Sequence, residues 1–361
     1  MERRKPAIGR VNAMSVRVLP ARVHMRGWPA RLLIVLFIAV FGATAVADEA
    51  LDQQWKRCTV ADPDTSILGC TAVIQSNHEP WESLAAAYYT RGNSYLRKGQ
   101  TDRAIQDYDE AIRLKPNYTD AFTNRGIGYV RKNQDDRAIQ DYDEAIRLDP
   151  NNATAFYNRG HAYARKGQPD RAIQDFDAAI RLKPTDADII TDRGSAYLSK
   201  GQPDRAIQDF DEAIRLSPRD AMAFTNRGIG YARKNQYDRA IQEFDEAIRL
   251  APNNAVAFGG RGNAYFSKAK DDRAIQDLDE AIRLDPNYAM AFTNRGTVLH
   301  ALGQQDRAIQ DFDEAIRLDP NNARAFFNRG VILRALGQQD RAAVDFAKAG
   351  QLDPILRSPD K

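Results

Sequence analysis

Two cysteines, four histidines and an arginine that recurs every 34 residues are the side chains of this protein best suited to chemistry. Cys58 and Cys70 are the only thiols; two thiols can pair, hold a metal or act as nucleophiles. His24, His78, His161 and His300 are scattered, and no pair has the short spacing of a zinc site. Only His78 lies near the cysteines, which speaks against a metal there. Gly126-x-Gly128 and Gly228-x-Gly230 lack the preceding strand and the following Lys-Ser/Thr of a phosphate loop. The many Asp and Glu return at a fixed interval, which marks solvated helix faces and caps, not a general-acid pair. The expectation is therefore a protein that is not an enzyme, with no cofactor and no bound metal.

The elements behind these residues form a repeat. Gly92, Gly126, Gly160, Gly194, Gly228, Gly262, Gly296 and Gly330 stand 34 residues apart, as do eight prolines from Pro116 to Pro354. A fixed period of about 20–50 residues marks a stacked array of units. Counted from Ala85 as position one, the eight units fill 85–356. In the second unit Phe122, Gly126 and Tyr129 share one face of a first helix; Ala138, Tyr142, Ala145 and Ile146 share one face of a second. Gly at position eight and Ala at 20 and 27 remove bulk where two backbones approach. Gly99, Gly167, Gly201, Gly303 and Gly337 sit where a left-handed residue ends the first helix. Pro169 and Pro203 suit the first turn of the second helix, and the proline at position 32 stops it.

The pattern resembles the tetratricopeptide repeat family over residues 85–356, through Tyr88, Gly92, Tyr95, Ala104, Tyr108, Ala111 and Pro116 and their counterparts in later units. The resemblance implies an all-α fold, a right-handed α-solenoid of eight 34-residue helix-turn-helix repeats. Position seven departs from the family's usual Leu and is Arg from Arg91 to Arg329, while position 23 is always Asp or Glu. An Arg stem packed on the first helix, with its head on that acid, predicts a buttressing ladder between helices.

The resemblance also implies a concave groove lined by the first helices, and the positions that vary between units are those free to read a partner. Tyr89, Tyr157, Phe266 and Phe327 are its candidate aromatic anchors, and His161 is a further candidate. Asn124, Asn158, Asn226, Asn294 and Asn328 match the family's backbone-contacting Asn at position six, with a structural role as the alternative. Arg97, Arg131, Arg165 and Arg233 form either a basic stretch of the groove or a last helical turn favoured by the helix dipole. The family's clamp for chaperone tails needs Lys at positions two and five and Arg at six, and none is present.

Before the array, residues 1–47 read as a signal peptide: Arg26 and Arg31, the apolar stretch 32–47, then Ala45-Val46-Ala47. Met25 offers a second start, and an uncleaved inner-membrane anchor is the alternative. Without this segment, which holds eight of the 52 Lys and Arg and one of the 49 acids, the chain carries a net charge of −4. Nothing in that balance points to nucleic acid. Residues 48–84 read as a worn repeat that caps the array, with Cys58 and Cys70 paired in a disulfide, as an even count in an exported chain suggests; two buried free thiols are the alternative. Residues 357–361 remain as a tail, and an uncovered final repeat leaves self-association open. The functional expectation is a periplasmic or secreted scaffold that binds a peptide or helix of a partner protein, in envelope assembly or secretion. The alternative is a regulatory subunit of a cell-wall or polysaccharide synthase.

Overall fold

A computed structural model describes residues 49–76 and 78–356. The signal segment and the tail, 1–47 and 357–361, lie outside the described residues. Every regular element described is helical. A helix over 49–58 (α1) and α2 (Pro63–Gln75) precede the array. The first helices of the units are α3 (Trp81–Arg97), α5 (Thr119–Arg131), α7 (Ala153–Arg165), α9 (Ala187–Ser199), α11 (Ala221–Arg233), α13 (Ala255–Ser267), α15 (Ala289–Ala301) and α17 (Ala323–Ala335). The second helices are α4 (Thr101–Leu114), α6 (Asp135–Leu148), α8 (Pro169–Leu182), α10 (Pro203–Leu216), α12 (Tyr237–Leu250), α14 (Asp271–Leu284), α16 (Gln305–Leu318) and α18 (Gln339–Leu352). Each helix packs on its partner and on the next unit, so the protein is an α-solenoid.

Local chemistry sets the boundaries. The five glycines at position 15 all have positive φ. In the other units Asn133, Asn235 and Ala269 adopt the same left-handed conformation. Asn tolerates it; Ala does so only at a cost of roughly 1–2 kcal/mol. Pro169 and Pro203 begin α8 and α10. Asp62 is the N-cap of α2, accepting from the Thr65 N–H, and Pro63 begins that helix.

The glycines at position eight serve a different purpose from the one expected. A Cβ on Gly126 would meet the Tyr142 ring at 2.6 Å, and one on Gly194 the Phe210 ring at 2.6 Å. In seven units position eight receives the aromatic side chain of position 24; in unit six Gly262 meets Leu278 and the Ala274 carbonyl instead. Tyr108, Tyr142, Phe176, Phe210, Phe244 and Phe312 are thereby fully buried, and in every unit but the sixth, where Leu278 stands instead, the core has one ring set into one glycine notch.

The arginine ladder is present and has a third arm. Arg125 holds Asp141 through Nε and Nη2 (2.9 and 2.6 Å) and Asp109 of the preceding unit through Nη1 (2.6 Å). Arg159, Arg193, Arg261, Arg295 and Arg329 repeat the pattern, Arg227 does so with Glu243 and Asp211, and Arg91 holds Asp107 and reaches Thr71 of the cap. The guanidinium also lies over the ring at position four, 5.4 Å from the Phe122 centroid in Arg125. Pairing with Asp209, opposed by burial, raises the Arg193 pKa above its ordinary value. This is why Arg replaces the apolar residue usual here: its stem and face pack while its fork ties two units together.

The cap is built as a further helix pair. Cys58 on α1 and Cys70 on α2 are both fully buried, with Cα atoms 4.5 Å apart and the sulfurs at bonding distance. Ser66 donates to the Cys58 carbonyl at 2.6 Å and accepts from Ser94 of α3 at 2.9 Å, joining the cap to the first unit.

Candidate partner-binding surface

First helices of neighbouring units touch one another, as α3 does α5 and α11 does α13, which puts them on the inner side of the curve. The expected groove residues all lie on these helices, and the structure divides them by what they already hold.

The aromatic candidates are half-buried in the packing. The Tyr89 ring lies 4.9 Å from Tyr118 and 6.1 Å from Tyr108. Phe266 packs beside Leu278, and Phe327 meets Phe346 edge-on at 5.6 Å. Tyr157 donates to Asp192 Oδ2 at 2.8 Å, and His161 Nε2 contacts the same oxygen at 2.9 Å. The two rings meet edge to face at 4.6 Å. Burial, reinforced by the bond to Asp192, pushes the Tyr157 hydroxyl well above its usual pKa.

The asparagines at position six face position nine of the unit before. Asn124 donates to Asn93 (2.8 Å) and to the Tyr89 hydroxyl (3.1 Å), Asn226 to Ser195 (3.3 Å), and Asn328 to Thr297 (3.1 Å). In these three the structural alternative holds. Asn158 and Asn294 have no such partner among the described residues.

The arginines at position 13 are engaged at helix ends. Arg97 donates to the Ala61 carbonyl (2.7 Å), Arg131 to the Leu96 carbonyl (2.6 Å), and Arg233 to the Leu198 carbonyl. Arg165 instead meets Asp135 and Asn133. Arg97, Arg131 and Arg233 satisfy backbone carbonyls of the preceding elements while their charge stays exposed.

Sequence reasoning named Arg233 and Asn294 on this face, but not the cavity that they line together. Across units five to eight lies a cavity of about 520 Å³, lined by Arg233, Val256, Gly259, Gly260, Asn263, Met290, Asn294 and Arg324 among others. The signal was present: only unit six has glycine at both position five and position six. Among the described residues there is no cluster of His, Cys, Asp and Glu able to hold a metal, and no helix is long and apolar enough to cross a membrane.

A solenoid of helix pairs with an invariant packing scaffold and a variable inner face defines a protein–protein interaction scaffold. Tetratricopeptide repeat models match residues 85–118, 128–167, 153–186, 191–255, 262–303, 296–337 and 323–355. The chain belongs to the tetratricopeptide repeat family. Among solved structures it is similar to a tetratricopeptide repeat protein from Parabacteroides merdae (TM-score 0.62, 22% identity, covering 69% of this chain and 98% of that one). It is also similar to a chain of the APC/C hetero-tetramer Cut9–Hcn1 (TM-score 0.58, 20% identity, covering 76% and 53%). At these identities the likeness shows the fold. A curated relative, the peptidyl-prolyl cis-trans isomerase CYP7 of Saccharomyces cerevisiae, is 44% identical over 45 residues, 12% of either chain. That length is little more than one repeat unit, so the match carries no isomerase activity to this protein.

Proposed function

We propose that this protein is an exported scaffold that holds a peptide or helix of a partner along its inner face, in envelope assembly or secretion. The carrying observation is the division of labour along each unit. The ladder, the glycine notch and its ring hardly change, whereas inner-face positions two, five, nine and 12 change from unit to unit. Export is supported by the signal-like residues 1–47, and by two buried cysteines at bonding distance, a pairing that persists in oxidising compartments.

The test uses protein recovered from the periplasm of an expressing bacterium. Intact mass should show a chain beginning at Asp48 with no free thiol. A partner captured by this protein from envelope extracts should bind less well to Tyr157→Ala and normally to Gln140→Ala, on the second-helix face. Recovery of a chain beginning at Met1 would remove the export reading; partner binding lost with Gln140→Ala but kept with Tyr157→Ala would remove the inner-face reading.

A further inference from the structure

We propose that one edge of the solenoid, formed by the turns inside units one to six, is a track for a linear acidic polysaccharide, whose carboxylates are taken by a row of arginines held flat on tyrosine rings. This surface is separate from the inner face and does not depend on the reading given to it.

Residues 97–103 join the first helix of unit one to its second, and positions 13 to 19 do the same in the next five units. These six stretches together hold 17 Lys and Arg against eight Asp, a net charge of +9. The chain without its first 47 residues carries −4, so positive charge is gathered on this edge. The same positions of units seven and eight both read Ala-Leu-Gly-Gln-Gln-Asp-Arg and are neutral. The six stretches are continuous in space. Lys132 reaches Asp102 of the unit before, and Lys98, Lys166, Lys200, Lys234 and Lys268 each reach the matching acid of the preceding helix pair. Each such contact cancels one Lys against one Asp, and the charge left over is mostly arginine.

Arg103, Arg137, Arg171, Arg205, Arg239 and Arg273, at position 19, are exposed. Each guanidinium lies over the tyrosine at position 11 of its own unit, 4.2 Å from the ring centroid at Tyr129 and 5.4–5.7 Å at the other five. Arg103, Arg137, Arg171 and Arg239 also donate one N–H to the Gln at position 16, at 3.0–3.3 Å. Ring and Gln are both uncharged, so they fix the fork without cancelling its charge. A guanidinium held this way keeps further N–H groups for a carboxylate. In units seven and eight Leu299 and Leu333 replace the ring. The surroundings select the polymer. None of the exposed large apolar side chains among the described residues falls on these six stretches, so an acidic protein segment finds charge but no apolar anchor. The position-11 rings are already covered by arginine, so a single-stranded nucleic acid finds no platform there for its bases. Hydroxyls are matched. A cavity of about 320 Å³ opens on this edge between units five and six, lined by Asn235, Gln236, Tyr237, Asp238, Arg239 and Lys268. Its amides and carboxylate accept from O–H groups and its cations take a carboxylate, and a sugar acid carries both on one ring.

The experiment titrates the purified protein with polygalacturonate by isothermal calorimetry at low and at physiological salt. Dextran, polyglutamate, polyphosphate and a single-stranded oligodeoxynucleotide are the comparison polymers. Polygalacturonate should bind more tightly than any of them, less so as salt rises, and dextran should not bind. Arg137→Gln, Arg171→Gln and Arg205→Gln together should lower the affinity about tenfold or more. Arg307→Gln and Arg341→Gln together, the same residue at the same position without the ring, should leave it unchanged, as should Tyr157→Ala on the inner face. Arg137→Lys, Arg171→Lys and Arg205→Lys together keep the charge and lose the flat fork, and should give a loss between these limits. Thermal melts of each variant confirm that the array is intact. No binding at low salt, or an equal loss from the two sets of Arg→Gln variants, would overturn the track. Polyglutamate, polyphosphate or the oligonucleotide binding as tightly as polygalacturonate would overturn the choice of polymer. Neither result touches the inner-face reading, which Tyr157→Ala tests separately.

Discussion

Arg125 makes five charged or aromatic contacts: two bonds to Asp141, one to Asp109, and cation–π approaches to Phe122 and Tyr129. Asp141 is only 5% exposed, so Arg125→Leu strands a buried carboxylate and should cost about 3–5 kcal/mol. Arg125→Leu combined with Asp141→Leu should recover much of that loss. A double-mutant cycle in urea, read by hydrogen exchange in α5 and α6, checks both. Equal losses in the single and double variants would show that the pair is not what holds the helices. Ala269 gives the opposite case. Its positive φ, shared with Asn133 and Asn235, is the conformation that glycine fills in five other units. Ala269→Gly should therefore stabilise unit six by about 1 kcal/mol, the relief of left-handed strain exceeding the added chain entropy. A lowered urea midpoint would contradict this. The pairing of positions seven and 23 was legible because a buried Arg demands an acid. The third arm to position 25 was not, because an acid on a second helix reads as solvated until the preceding unit is in place.

At the scale of elements, tyrosines at the junction of units one and two supply a pH dependence. Burial, with Tyr89 and Asp120 nearby, pushes the Tyr118 pKa up to about 12. Burial moves Tyr108 and Tyr142 further in the same direction. The unfolded value is about 10, so the fold favours the neutral phenol. This contribution is fully present below pH ~10 and is lost as pH rises through about 12. The arginine ladder stays charged across that window. Urea midpoints should hold steady up to pH ~10 and then fall, less steeply in Tyr142→Phe, which places in unit two the Phe that five later units carry at that position. Midpoints unaffected by alkali would show that these phenols ionise freely in the folded chain. The aromatic at position 24 was legible as core, but its seat in the position-eight glycine was not. Helical periodicity identifies a face, and only the packing of two helices shows which side chain fills which notch.

The whole molecule is a line of nearest-neighbour contacts, and its far end differs from its interior. Ile105 packs on the following unit against Gly128 and Tyr129, and Ile309 against Leu333. In unit eight the matching residue is Ala343, position 28 changes from Ile to Gly350, and the acid that would accept the next ladder arginine is Ala347. The outer face of α18 thus lacks both the apolar ridge and the ladder acid that join interior units. At the other end α2 covers α3. The sequence expectation left self-association open; with both faces altered, light scattering after size exclusion should give a monomer mass. Ala343→Ile, Ala347→Asp and Gly350→Ile together should introduce concentration-dependent association, because they restore an exposed stacking face. A wild-type dimer unaffected by substitution of Val344, which is exposed on this face, would place self-association elsewhere.

The repeat, the helix pairs, their caps and the Arg–acid ladder could be read from the chain because each follows a local rule. Period, capping preference and charge matching act between residues a fixed number of positions apart. The free part of the inner face could not be read this way. Asn124 and Asn294 occupy the same position in identical local sequence, Ala-Phe-Thr-Asn-Arg-Gly. One is held by Asn93 and Tyr89 of the unit before, and the other lines the cavity along with the Phe244 and Tyr288 rings. That difference arises across a junction between units, where a side chain's freedom depends on its neighbour's size and hydrogen-bonding capacity and not on its own place in the repeat.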